Sequence, residues 1–140
     1  MTKSASAAEG SSLLSYQMIT HFPTKVGNTR VMVDRSGAVK VHRNDAEPSE
    51  GEQWNRPFPA EPMSVVKDPE TRLATVLQRG GFFSMPARLV DELTTDGTLQ
   101  TLSWNGRGGP RTVTVDRARS PQFDALLAEV FRVLGVGPLV

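Results

Sequence analysis

The chain has 140 residues, 38% of them hydrophobic and 22% charged, enough for one buried core and too few for two, so a single compact domain is expected. Sixteen Lys and Arg against 15 Asp and Glu leave a formal net charge of +1, which argues against a nucleic-acid partner, because such proteins concentrate a basic excess on one face. There is no cysteine, and this removes disulfides, thiolate catalysis and zinc–thiolate sites together.

Residues 1–13 are small and polar and read as a flexible tail. They contain no apolar run of signal-peptide length, and no stretch of the chain is long enough to span a bilayer, so a soluble cytoplasmic protein without membrane insertion is expected. The domain proper is placed at 14–135, with 136–140 as a C-terminal tail. Residues 14–22, LSYQMITHF, alternate Tyr16, Met18, Thr20 and Phe22 against Gln17, Ile19 and His21 with strand-like β-branched and aromatic bias, and Pro23 ends the run. RVMVDRSGAVKVHR then reads as a hairpin, with Asp34, Arg35, Ser36 and Gly37 supplying the turn chemistry.

Residues 44–62 carry four prolines and no period, so a long irregular loop is expected, of the kind that clasps a surface, binds something or moves. Trp54 and Phe58 allow two accounts. Both rings can fold back onto the body as a satellite cluster, or, with Arg56, they can act as anchors for a protein partner on a proline-stiffened backbone that loses little entropy on docking.

The segment DPETRLATVLQRGGFFSMP predicts a helix followed at once by an apolar plug. Asp68 is the expected N-cap, Pro69 suits the first helical position, and Gly80 or Gly81 provides the left-handed stop. Leu73, Val76 and Leu77 share one face, and Phe82, Phe83 and Met85 are expected to be buried. Residues 87–97 then cross the domain toward a turn at Asp96 and Gly97. A second hairpin places Leu102 with Trp104 and Val113 with Val115, around a flexible tip at 105–110. Ser120 and Pro121 repeat the cap grammar before a last helix with Phe123, Leu126, Leu127, Val130 and Leu134 on one stripe. The predicted fold is therefore α+β: an antiparallel sheet of about five strands, two hairpins plus an N-terminal strand, with two helices on one face. Thr112, Thr114, Gln100 and Lys40 are assigned to the opposite, polar face.

Chemistry-bearing groups are few. A metal site needs converging ligands, and the only histidines, His21 and His42, stand apart on predicted strands. Ser36, His42 and Asp34 compose a triad on paper but lack a nucleophile elbow or oxyanion-hole sequence. The glycine-rich stretch at 105–109 joins two strands rather than feeding a helix, so it reads as a hairpin tip and not a phosphate loop. Arginines 107, 111, 117 and 119 form the best basic cluster, offering a positive edge to an acidic partner or serving as ordinary solvated strand ends. No cofactor or metal is expected.

From residue 68 to residue 133 the succession LATVLQRGG, FFSMPARL, DGTLQTLSW, RTVTVDRA and SPQFDALLAEV resembles that of emfourin-type proteins, small bacterial inhibitors of thermolysin-like metallopeptidases. The glycine-rich, aromatic strand start of that family is represented here only by RSGAV, and the proline-rich loop is extra. The resemblance implies inhibition of a peptidase and no catalysis, and no inhibitory residue is carried over from it. The sequence thus points to a non-enzymatic protein that binds another protein, as a peptidase inhibitor or an accessory subunit, through Trp54, Arg56, Phe58, Arg107 and Arg111 or through an open sheet edge. Two alternatives stay open. One is a structural subunit of a larger bacterial assembly, and the other is a small hydrolase or ligand-binding domain with its pocket near His42 and Asp34.

Overall fold

Alternating apolar and polar side chains set the strands, and non-local pairing completes them. The computed structural model describes residues 12–21, 23–93 and 97–137. Among the described residues seven strands, β1 Leu14–Thr20, β2 Thr29–Val33, β3 Ala38–Arg43, β4 Ser64–Val65, β5 Arg88–Val90, β6 Thr98–Trp104 and β7 Arg111–Asp116, form one sheet in the order β4-β3-β2-β1-β6-β7-β5. Two helices among the same residues, α1 Pro69–Arg79 and α2 Pro121–Leu134, complete an α+β fold. The expected tail at 1–11, the strand end at Phe22, Asp96 of the expected turn and the end of the tail at 138–140 lie outside the described residues.

The register explains why one face is apolar. Val41, Val31, Tyr16, Leu102 and Val113 form one row across five strands, and Val39, Val33, Leu14 and Trp104 form the next. The helices cover this face with Leu73, Val76 and Leu77 from α1 and Phe123, Leu126, Leu127, Val130 and Leu134 from α2. Trp104, Phe82 and Phe123 are the largest side chains sealed inside, at 1%, 0% and 0% exposure. At about 25 cal/mol per Å² of apolar surface removed from water, this single cluster is the main stabilising term of the fold.

Several details depart from expectation. The sheet has seven strands, not five, and is mixed, because β5 runs parallel to β7. Strands β4 and β5 have only two and three residues, too few to show a period, and exist because β3 and β7 hold them in register. Gln100 lies on the helix side, where its Oε1 accepts from the Tyr16 hydroxyl at 2.7 Å. Of the plug residues, Phe82 and Met85 are buried and Phe83 is only half-buried. Ser120 caps α2 as expected, its Oγ accepting from the Phe123 N–H, and Gly135 ends the helix in the left-handed region at φ 72°. Asp68, by contrast, sits at φ 49° and makes no side-chain cap, and the left-handed residue after α1 is Gly81 at φ 81°.

The β2–β3 turn is fixed by Asp34, whose Oδ1 accepts from the N–H groups of Ser36 and Ala38. Gly37 follows at φ 94°, and a Cβ there would lie 2.0 Å from the Val66 carbonyl oxygen, the point where the chain leaves β4. Replacing Gly37 with Ala should therefore lower the unfolding free energy by about 3 kcal/mol, combining left-handed strain with a backbone clash. Gly51→Ala, at φ 83° but in open space, should cost only about 1 kcal/mol. Urea unfolding of the two variants checks the difference.

Candidate functional site

The sheet face opposite the helices carries Ser15 and Gln17 of β1, Arg30 and Met32 of β2, Lys40 and His42 of β3, and Thr101 and Ser103 of β6, as strand alternation and register require. Residues 44–62 lie across the β2–β3 part of this face. The anchor is Arg30, whose guanidinium carbon sits 4.6 Å from the centroid of the Trp54 ring and 4.2 Å from that of Phe58. Two such contacts hold a cation between two π faces, each contributing about 0.5–2 kcal/mol depending on its desolvation.

The same guanidinium is oriented by hydrogen bonds. Its Nε donates to His42 Nδ1 at 3.2 Å and its NH2 group donates to the Arg56 carbonyl at 2.9 Å. Since Nδ1 accepts, the imidazole is the neutral form protonated at Nε2, which donates to Asn55 Oδ1 at 2.9 Å. The Trp54 ring meets His42 edge-on at 5.8 Å. Burial is the largest influence holding the His42 pKa below its ordinary 6.5, and the Arg30 and Arg56 charges add to it against the Asn55 hydrogen bond and the Asp45 carboxylate. Asn44, 2% exposed, ties down the start of the loop: its Nδ2 donates to the Lys25 and Gln53 carbonyls and its Oδ1 accepts from the Asn55 N–H.

Held this way, the loop turns other groups outward. Arg56 and Asp45 form an exposed ion pair at 2.8 Å, and residues 56, 57 and 59–62 are exposed. Beside Phe58 a cavity of about 240 Å³ opens over Ser15, Gln17, Met32, Thr101 and Ser103. Of the two accounts of Trp54 and Phe58, their position against Arg30 matches the satellite-cluster account, while Arg56 points to solvent.

The arginines grouped by sequence do not form one patch. Arg111 donates from Nε to the Phe82 carbonyl at 3.1 Å and from NH2 to the Met85 carbonyl, fastening the plug to β7. Arg117 donates to Asp116 at 3.1 Å, and Arg107 lies at the exposed tip of the β6–β7 turn. Asp34 and His42 are also not brought together: Asp34 holds its own turn, and His42 lies four residues along β3 from Ala38, about 13 Å at strand rise. A different pair does meet. His21 Nε2 lies 2.7 Å from Asp116 Oδ1, with Arg88 3.9 Å from Oδ2. Burial pushes the Asp116 carboxyl up, but hydrogen bonds from His21 and Arg117 outweigh it and hold the pKa below the ordinary 3.8. This orients an imidazole, and no Ser or Thr hydroxyl is bonded to it among the described residues. Nor, among the described residues, do three or more His, Asp or Glu side chains gather there as a metal site.

Sequence reasoning missed Arg30, Asn44 and Asn55. Arg30 alone left a trace, as an isolated cation in an otherwise apolar strand, directly opposite His42 once the hairpin register is drawn.

A histidine whose pKa is lower folded than unfolded binds protons preferentially in the unfolded or released state. Its stabilisation is therefore complete above pH 6.5 and declines as pH falls through that value. Protonation would also set an Nδ1–H against the Arg30 Nε–H. Acidification from about pH 7.5 to about pH 5.5 should expose Trp54 and red-shift its emission while Trp104, 1% exposed, stays unchanged, and His42→Gln should flatten the titration. Steady-state fluorescence of wild type, His42→Gln and Trp54→Phe resolves the two indoles. In comparisons with protein families, curated proteins and solved structures, the chain matches none of them.

Proposed function

We propose that this chain is a non-enzymatic protein-binding domain that docks through the 44–62 loop, and that inhibition of a thermolysin-like metallopeptidase is the form this binding takes. The supporting observation is the Arg30 sandwich, which fixes a loop of four prolines before any partner arrives. A preorganised loop avoids most of the ordering entropy that weakens flexible binders, so modest contacts at its surface translate into affinity. Arg56 is suited to make such contacts. Its partner Asp45 is 61% exposed, and an exposed pair of this kind is weak enough for a carboxylate on another protein to replace it. The resemblance over residues 68–133 supplies the peptidase; the loop geometry supplies only the docking surface.

This reading separates two contributions. Arg56→Ala removes a direct contact, and Arg30→Ala leaves every outward side chain chemically intact but frees the loop that positions them. Both should weaken partner binding about tenfold or more, Arg30→Ala chiefly by slowing association or raising the entropic penalty. Titration of a thermolysin-like metallopeptidase with wild type should abolish its activity at stoichiometric ratio without cleavage of the chain. Undiminished peptidase activity would end the inhibitor form. Pull-downs that retain the same prey with Trp54→Ala and Arg56→Ala baits would end the loop assignment.

A further inference from the structure

A groove lies on the helix side of the sheet, away from the 44–62 loop. The last turns of α1, with Thr75, Gln78 and Arg79, form one wall of a groove of about 650 Å³, and Arg107 and Gly108 of the β6–β7 turn form the other. Phe83 lies between them. It is the plug residue left half-buried, its ring edge-on to the fully buried Phe82 at a centroid distance of 5.2 Å. Gly108, at φ 87°, keeps the ring accessible, since a Cβ there would stand 3.3 Å from its edge.

The charges in this groove have one sign. Arg107 has no ion pair or side-chain hydrogen bond among the described residues. Arg79 is 67% exposed and only reaches Glu129 at 3.9 Å, a separation that leaves it available. No carboxylate among the described residues lines the groove. An apolar floor between two guanidinium groups is complementary to an apolar side chain flanked by carboxylates: the ring contact supplies burial and the arginines supply charge-assisted, planar hydrogen bonding.

We propose that the groove between α1 and the β6–β7 turn binds an acidic segment of a partner protein, with an apolar side chain of that segment on Phe83 and its carboxylates on Arg79 and Arg107. A nucleic acid fits less well, because the chain is almost neutral at +1 and the groove offers two cations rather than a basic track. The site is independent of the 44–62 loop, which lies on the opposite sheet face.

The test is fluorescence anisotropy with a fluorescein-labelled peptide of Glu and Asp around one Phe. Saturable binding that weakens with added salt is expected. The double variant Arg79→Glu with Arg107→Glu should lose about tenfold or more in affinity, and Thr75→Trp, which fills the groove without changing its charge, should do the same. Arg30→Ala should bind the peptide as wild type does, whatever becomes of loop-mediated docking. All variants alter exposed or half-exposed positions, and unchanged thermal midpoints confirm that they fold. Absence of saturable binding, equal binding of a peptide with Lys in place of its acids, wild-type affinity in the double variant, or displacement of the peptide by a single-stranded oligonucleotide at lower concentration would each overturn the proposal.

Discussion

Arg30 between Trp54 and Phe58 is the contact on which the second face of this protein depends. Both helices lie on the other face of the sheet, so nothing in the main core holds residues 44–62. An antiparallel sheet can leave such a face to water, and most of this one carries hydroxyl, amide or basic groups that suit it. Two aromatic rings do not. They gain an apolar contact area and a cation at once by closing on Arg30, while the Arg56 carbonyl and His42 take up the guanidinium hydrogens. The chain of causes runs from strand register to surface: β2–β3 pairing sets Arg30 opposite His42, the pair sets the rings, and the rings decide which loop residues face outward.

The helices were legible because both their ends and their apolar stripes are local. Even so, Asp68-Pro69 and Ser120-Pro121 share one grammar and behave differently. Ser120 has the extended backbone a cap requires. Asp68 does not, because the chain arrives from β4, where Val66 N–H is bonded to the Gly37 carbonyl and fixes the approach. A residue type states what a side chain can do; the direction of entry into the helix is a tertiary matter. Strands β4 and β5 follow the same rule, since so short a segment is a strand only through its neighbour. Gln100 was misplaced for another reason. Polarity suggested the solvent face, but a polar residue is at home inside when a partner is supplied, and Tyr16 supplies one.

The loop aromatics were visible in the sequence as a problem to be solved, and its solution was not, because a cation–π contact leaves no periodicity. Adjacency in sequence was a poor guide to the arginines. Strand alternation turns Arg111 beneath the plug, the end of β7 brings Arg117 to Asp116, and the turn leaves Arg107 outside. What looked like one basic edge is a fastening, an ion cluster and a cation with no charged partner among the described residues.

Near-neutral net charge also concealed an uneven distribution. Residues 44–62 hold five carboxylates and one arginine, so the remainder of the chain carries the balancing basic excess. Burial and pairing consume part of that excess at Arg111 and Arg117, and the groove beside Phe83 retains Arg79 and Arg107. Potentials near a surface steer encounters by the local sign and not by the total. The groove presents two arginines and suits a segment rich in carboxylates, whereas in the loop Arg56 stands among five carboxylates, so a carboxylate that displaced Asp45 there would have to be an isolated one. The two surfaces therefore select different ligands.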